Sequence, residues 1–133
     1  MKTILFTMLV SATIGFGVLP VAADDGAEVT PLMSKDLADY PGKEGLMLSV
    51  VYQPGGSSPI HRHDAHAFVY VLEGSIVMQV KGDKEVTVGP GETYYENPSD
   101  IHLVSRNAST TNPAKFIVVL LKNKDNPAVM PVE

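Results

Sequence analysis

The sequence predicts an all-β fold, an antiparallel sandwich or barrel of short strands, on three observations. Ten prolines and eleven glycines punctuate the 133 residues. The runs between them are rich in β-branched and aromatic residues, which fit a pleated, half-buried surface. Only one stretch, residues 34–40, carries the signals of a helical turn, with Ser34 as a cap and Pro41-Gly42 as a stop.

Taken in order, the chain opens on a secretory signal peptide. Lys2 gives a positive start, residues 4–19 are almost wholly apolar or small, and Val21-Ala22-Ala23 forms a small-residue exit before Asp24-Asp25. The apolar run is nearly long enough to span a bilayer, but Gly15, Gly17, Pro20 and the small-residue exit favour cleavage over an anchor. Residues 1–23 are therefore expected to be removed. That places the mature protein in the periplasm or outside the cell, with no membrane attachment.

Residues 24–45 form an N-terminal arm, within which residues 34–40 are either the helical turn or an extended segment. Strands are expected at residues 46–52, 67–72, 75–80, 84–88, 93–95, 101–106 and 115–121. Between them stand Pro54-Gly55-Gly56, Glu73-Gly74, Lys81-Gly82-Asp83, Gly89-Pro90-Gly91, Asn97-Pro98-Ser99 and the polar stretch 107–113. Residues 46–121 thus make one barrel domain. Residues 122–133, with Pro127 and Pro131, make an extended tail.

Charge and cysteine content narrow the function. The ten basic and fifteen acidic residues become nine and fifteen once Lys2 is lost with the leader, a formal charge of −6. Such an acidic surface argues against nucleic acid or anionic membrane as a partner. The chain has no cysteine, so an exported domain of this size is held by packing, with a metal or a second subunit as further aids. Imidazole, carboxylate and hydroxyl are the groups left for chemistry.

All four histidines fall at two strand entrances: His61, His63 and His66 in "HRHDAHAFVYVLEG", and His102 after the turn Asn97-Pro98-Ser99. In a strand, His61 and His63 share one face with Cβ atoms about 7 Å apart, close enough for both imidazoles to reach one ion. The pair alone also fits a solvated loop. His102 opens a strand roughly forty residues later, which can lie beside the first in an antiparallel barrel. His66 has two readings: strict alternation faces it outward, whereas a break at Asp64-Ala65 swings it in as a ligand. Glu96 is either an acceptor near His102 or a solvated carboxylate.

Gly55, His61, His63 and Gly74 resemble the first motif of the cupin superfamily, G-x5-H-x-H-x3-E-x6-G, and "GETYYENPSDIHLVSRN", with Gly91 and His102, is similar to the second. The likeness runs from about residue 46 to 121. Three departures stand out. The family's glutamate is replaced by Ala67; Asn97 and Ser99 stand where proline and glycine are usual; and Asn107 falls one place late.

The resemblance implies a double-stranded β-helix, a jelly-roll-like antiparallel barrel. It also implies one divalent metal (Fe, Mn, Zn or Ni) held by His61, His63 and His102, with His66 as the candidate to replace the lost glutamate. A homodimer is implied as well. Three neutral imidazoles leave the ion's charge uncompensated, which favours an anionic small-molecule ligand. The expected function is a metal-dependent oxygenase or isomerase acting on a small anionic or enolisable substrate. The alternative is a binding or sensing module without turnover.

Overall fold

The computed structural model describes residues 21–23 and 25–132. The expected leader thus lies outside the described residues except for its last three. Twelve strands follow in order: β1 (Val21–Ala23), β2 (Ala27–Asp36), β3 (Lys43–Tyr52), β4 (Ser57–Ser58), β5 (His61–Arg62), β6 (Ala65–Glu73), β7 (Ile76–Val80), β8 (Val86–Val88), β9 (Thr93–Glu96), β10 (His102–Asn107), β11 (Ala114–Asn123) and β12 (Met130–Pro131). The fold is all-β, as expected, and every strand pairing among the described residues is antiparallel.

One sheet runs β1-β2-β3-β11-β6-β9. The other runs β12-β5-β10-β7-β8, with β4 also on β10. They face each other across a shared core in which Val50, Val69 and Phe116 of the first sheet meet Ile76, Met78 and Val88 of the second. Period-two alternation builds it: β6 buries Ala65, Ala67, Val69 and Val71 and exposes the residues between. Tyr52 of β3 stitches the sheets, its hydroxyl lying 2.6 Å from both Ser58 Oγ and Ser105 Oγ.

Each expected strand has its counterpart, and residues 34–40 are neither wholly extended nor a helix: 34–36 end β2, and 37–40 form a turn in which the Tyr40 N–H donates to the Leu37 carbonyl. That ten-residue strand went unread because Pro31 interrupts it. The chain accommodates the proline at a register shift between Pro31 and Met33, where a bulge leaves one residue unpaired.

Two residues at strand ends hold the neighbouring loops in place. Asn107, one place late against the family pattern, is buried, and its amide nitrogen lies 2.8–3.3 Å from the carbonyls of Tyr52, Gln53 and Asn112. Gly74 sits at φ +66°, where a Cβ would lie 2.6 Å from the Pro113 carbonyl oxygen and 2.9 Å from Ala114 Cα. Gly74→Ala is therefore expected to destabilise the fold by about 2–4 kcal/mol, left-handed strain adding to backbone overlap. Urea denaturation checks this.

Candidate metal centre

The two strand entrances meet. His61 pairs directly with His102 across the β5–β10 ladder, and His63 follows β5 with the exposed Arg62 turned the other way. Ligand nitrogens of His61, His63 and His102 all lie within 4.8 Å of one another. His61 and His102 are buried, and His63 is partly so. Nothing in the β7 and β8 hairpin between the two motifs intervenes, because β10 folds back between β5 and β7.

Orientation is set by backbone carbonyls. His61 Nδ1 lies 2.7 Å from the Pro59 oxygen and His63 Nδ1 lies 2.6 Å from that of Ala128. A carbonyl only accepts, so both Nδ1 atoms carry the proton and both Nε2 atoms present lone pairs. Those two Nε2 atoms are 3.2 Å apart. Two facing lone pairs repel unless a cation lies between them, and this separation subtends roughly 100° at an ion about 2.1 Å from each. His102 offers both ring nitrogens without a hydrogen-bond partner, although it is only 2 % exposed. A buried donor set left unsatisfied in this way fits a metal.

His66 is not brought to this group. β6 keeps its phase through the left-handed residue Asp64 (φ 47°), so Ala65 and Ala67 point inward and His66 outward. There its Nδ1 lies 2.6 Å from the Tyr95 hydroxyl, with the two rings stacked. The four-histidine arrangement is thus corrected to three in placement, because a strand cannot turn His66 and Ala67 to one face. His66→Ala is expected to leave metal affinity within about twofold of the parent, as titration calorimetry would show, well short of the tenfold losses typical of residues that support a ligand.

Glu96 is the residue whose place the sequence left open. It ends β9 directly opposite Ala67 in the β6–β9 ladder and is 2 % exposed. Its Oε2 stands 3.1 Å from His102 Nδ1, out of line for a hydrogen bond, and 3.9 Å from His63 Nε2. The carboxylate therefore enters from the strand beside the one where the family carries it. The sequence signal was its place just before the Asn97-Pro98-Ser99 turn that leads to His102; beside it, the Tyr94 ring stacks on His102 at 6.3 Å.

Burial pushes the His61 imidazole down to about 4, against the pull of the Pro59 carbonyl. Burial also works to raise the Glu96 carboxyl, but the approach of His102, with His63 and His61 behind it, outweighs this and holds it below the ordinary range. A depressed histidine means the unfolded chain binds the extra proton. Stability from His61 in metal-free protein is therefore complete above pH 6.5 and declines as pH falls from there towards about 4. Denaturation in chelator across that window should show the decline, and His61→Gln should flatten it.

The donors open into a cavity of about 550 Å³ between the sheets, lined also by Leu48, Val50, Val69, Met78, Phe116 and Val118. A metal-binding β-barrel of this kind defines a class, and comparison with known families agrees. The family model described as "Cupin domain" matches residues 48–120, more than half of the chain. The chain belongs to the cupin domain family.

Among solved structures, the chain is similar to a recombinant oxalate oxidase in complex with glycolate, at 25% identity and a TM-score of 0.63 over 82% of this chain and 56% of that one. It is also similar to the polyketide cyclase RemF from Streptomyces resistomycificus, at 22% identity and TM-score 0.64 over 95% and 87%. A third is a predicted oxalate decarboxylase from Thermotoga maritima, at 24% identity and TM-score 0.60 over 72% and 80%. The chain spans little more than half the length of the oxalate oxidase. No curated protein sequence matches.

Proposed function

We propose that this cupin is an exported metal-dependent enzyme holding one divalent ion on His61, His63 and His102, with Glu96 as the fourth donor, and acting on an enolisable small molecule. The observation that carries the reading is the pair of Nε2 atoms 3.2 Å apart, each imidazole fixed from behind by a backbone carbonyl. A bound ion would supply Lewis acidity to a substrate oxygen. His61 and His63 keep their lone pairs inward because Pro59 and Ala128 take the opposite protons. Glu96 lowers the charge that three neutral imidazoles leave, taking over what Ala67 cannot do.

A purely structural ion is disfavoured by the position of the donors, which line the 550 Å³ cavity and leave room for a ligand. Export rests on the leader at residues 1–23, and no helix among the described residues is long and apolar enough to cross a membrane. For a homodimer, the outward row of Phe68, Tyr70 and Leu72 on β6, with Tyr95 beside it, is an exposed apolar face that a second copy would cover.

Metal analysis of protein taken from its native compartment, followed by a turnover assay, tests the reading. One divalent ion per chain is expected. So is metal-dependent deuterium exchange at the central carbon of a β-diketone. Full metal occupancy with neither exchange nor oxygen uptake would assign the chain to the non-catalytic binding modules instead.

A further inference from the structure

The cavity is built for a different ligand from the glycolate of the oxalate oxidase complex. Twelve of its nineteen lining residues are apolar, and the polar remainder is Tyr52, Ser58, Ser105, the three histidines and Glu96. Among the described residues, no lysine or arginine lines it. An ionised carboxylate in such surroundings meets no Lys or Arg side chain and has the ion alone to balance its charge, and Glu96 already supplies one negative charge there. A dicarboxylate would therefore leave a charge stranded against Val, Leu and Phe side chains. The volume is also far beyond what a two-carbon acid fills, and suits a body of roughly fifteen to twenty-five non-hydrogen atoms at protein packing density.

At the serine end of the cavity the Tyr52 hydroxyl lies 2.6 Å from both Ser58 Oγ and Ser105 Oγ, and Ser105 Oγ lies 3.5 Å from Met78 Sδ. A hydroxyl both donates and accepts, so Ser58 can meet a polar group of either kind.

We infer that the cavity takes an apolar molecule with two adjacent or 1,3-related oxygens at the metal end, at most one negative charge, and a single polar group that meets the Ser58 hydroxyl. The chelating end rests on the metal reading above. The apolar body rests on the cavity alone.

Calorimetric titration of metal-loaded protein with acetylacetone, benzoylacetone, oxalate and glycolate, beside the same series on chelator-stripped protein, tests it. Benzoylacetone should bind at least tenfold more tightly than acetylacetone, and oxalate and glycolate should bind more weakly than either. Val29→Trp, on the half-buried cavity wall of β2, should abolish the gain from the phenyl ring while metal content stays at the parent level. Should that variant fail to fold, the milder Val29→Phe should reduce the gain. If the protein takes up no metal but still binds benzoylacetone above acetylacetone, the apolar body stands and the metal reading fails. If metal is bound and oxalate or glycolate binds more tightly than benzoylacetone, the inference is overturned.

Discussion

Glu96→Ala is expected to lower divalent-metal affinity by about ten- to a hundredfold, and Ala67→Glu in the same chain to restore most of it. Both effects follow from the ladder. Positions 67 and 96 are direct partners on β6 and β9, so their Cβ atoms stand about 4.5–5.5 Å apart and a carboxylate from either reaches the same space. Ala67 is fully buried and its small side chain is what leaves that space to Glu96. The single change Ala67→Glu should accordingly not tighten binding. It would set two carboxylates side by side in a buried site, where one must stay protonated. Metal titration of the parent, both single variants and the double variant checks the set. Parent-level affinity in Glu96→Ala would place the carboxylate outside the metal's coordination.

The second large effect is on stability. A metal present at a hundred times its dissociation constant should stabilise the fold by about 2.7 kcal/mol, because it binds the folded chain alone. For a domain of this size, at roughly 4 °C per kcal/mol, that is a rise in melting temperature of roughly 10–15 °C. His61→Ala, His63→Ala and His102→Ala should each abolish the rise. In His63→Ala the Ala128 carbonyl also loses the bond that holds the C-terminal segment over the site, so that variant should melt lowest of the three without metal. Differential scanning calorimetry with and without metal measures both. A full metal-induced rise in any one of these variants would remove that histidine from the site.

Much of this architecture could be read in advance, and the exceptions have physical causes. The strands with clean alternation or flanking Gly and Pro signals, from β6 through β11, were legible because a buried face imposes a period of two. β2 was not, since Pro31 reads as a breaker until the register shift beside it is seen. His61, His63 and His102 were legible from spacing and from the resemblance, and the β5–β10 pairing brings them together. The ambiguity at His66 was a question of phase across Asp64, which only the backbone settles. Glu96 depended on register between β6 and β9, and register between strands that are distant in sequence leaves no local trace. The lost glutamate at Ala67 was visible, while its replacement across the ladder was not.

One divalent ion is expected among His61, His63, His102 and Glu96. Anomalous diffraction at the metal's absorption edge, from crystals of protein loaded before crystallisation, tests it most directly. A single strong peak is expected about 2.0–2.3 Å from one nitrogen of each of the three histidines and from a Glu96 carboxylate oxygen. A peak centred on His66 and Tyr95, or none at these four residues in protein shown by analysis to carry one ion per chain, would contradict it.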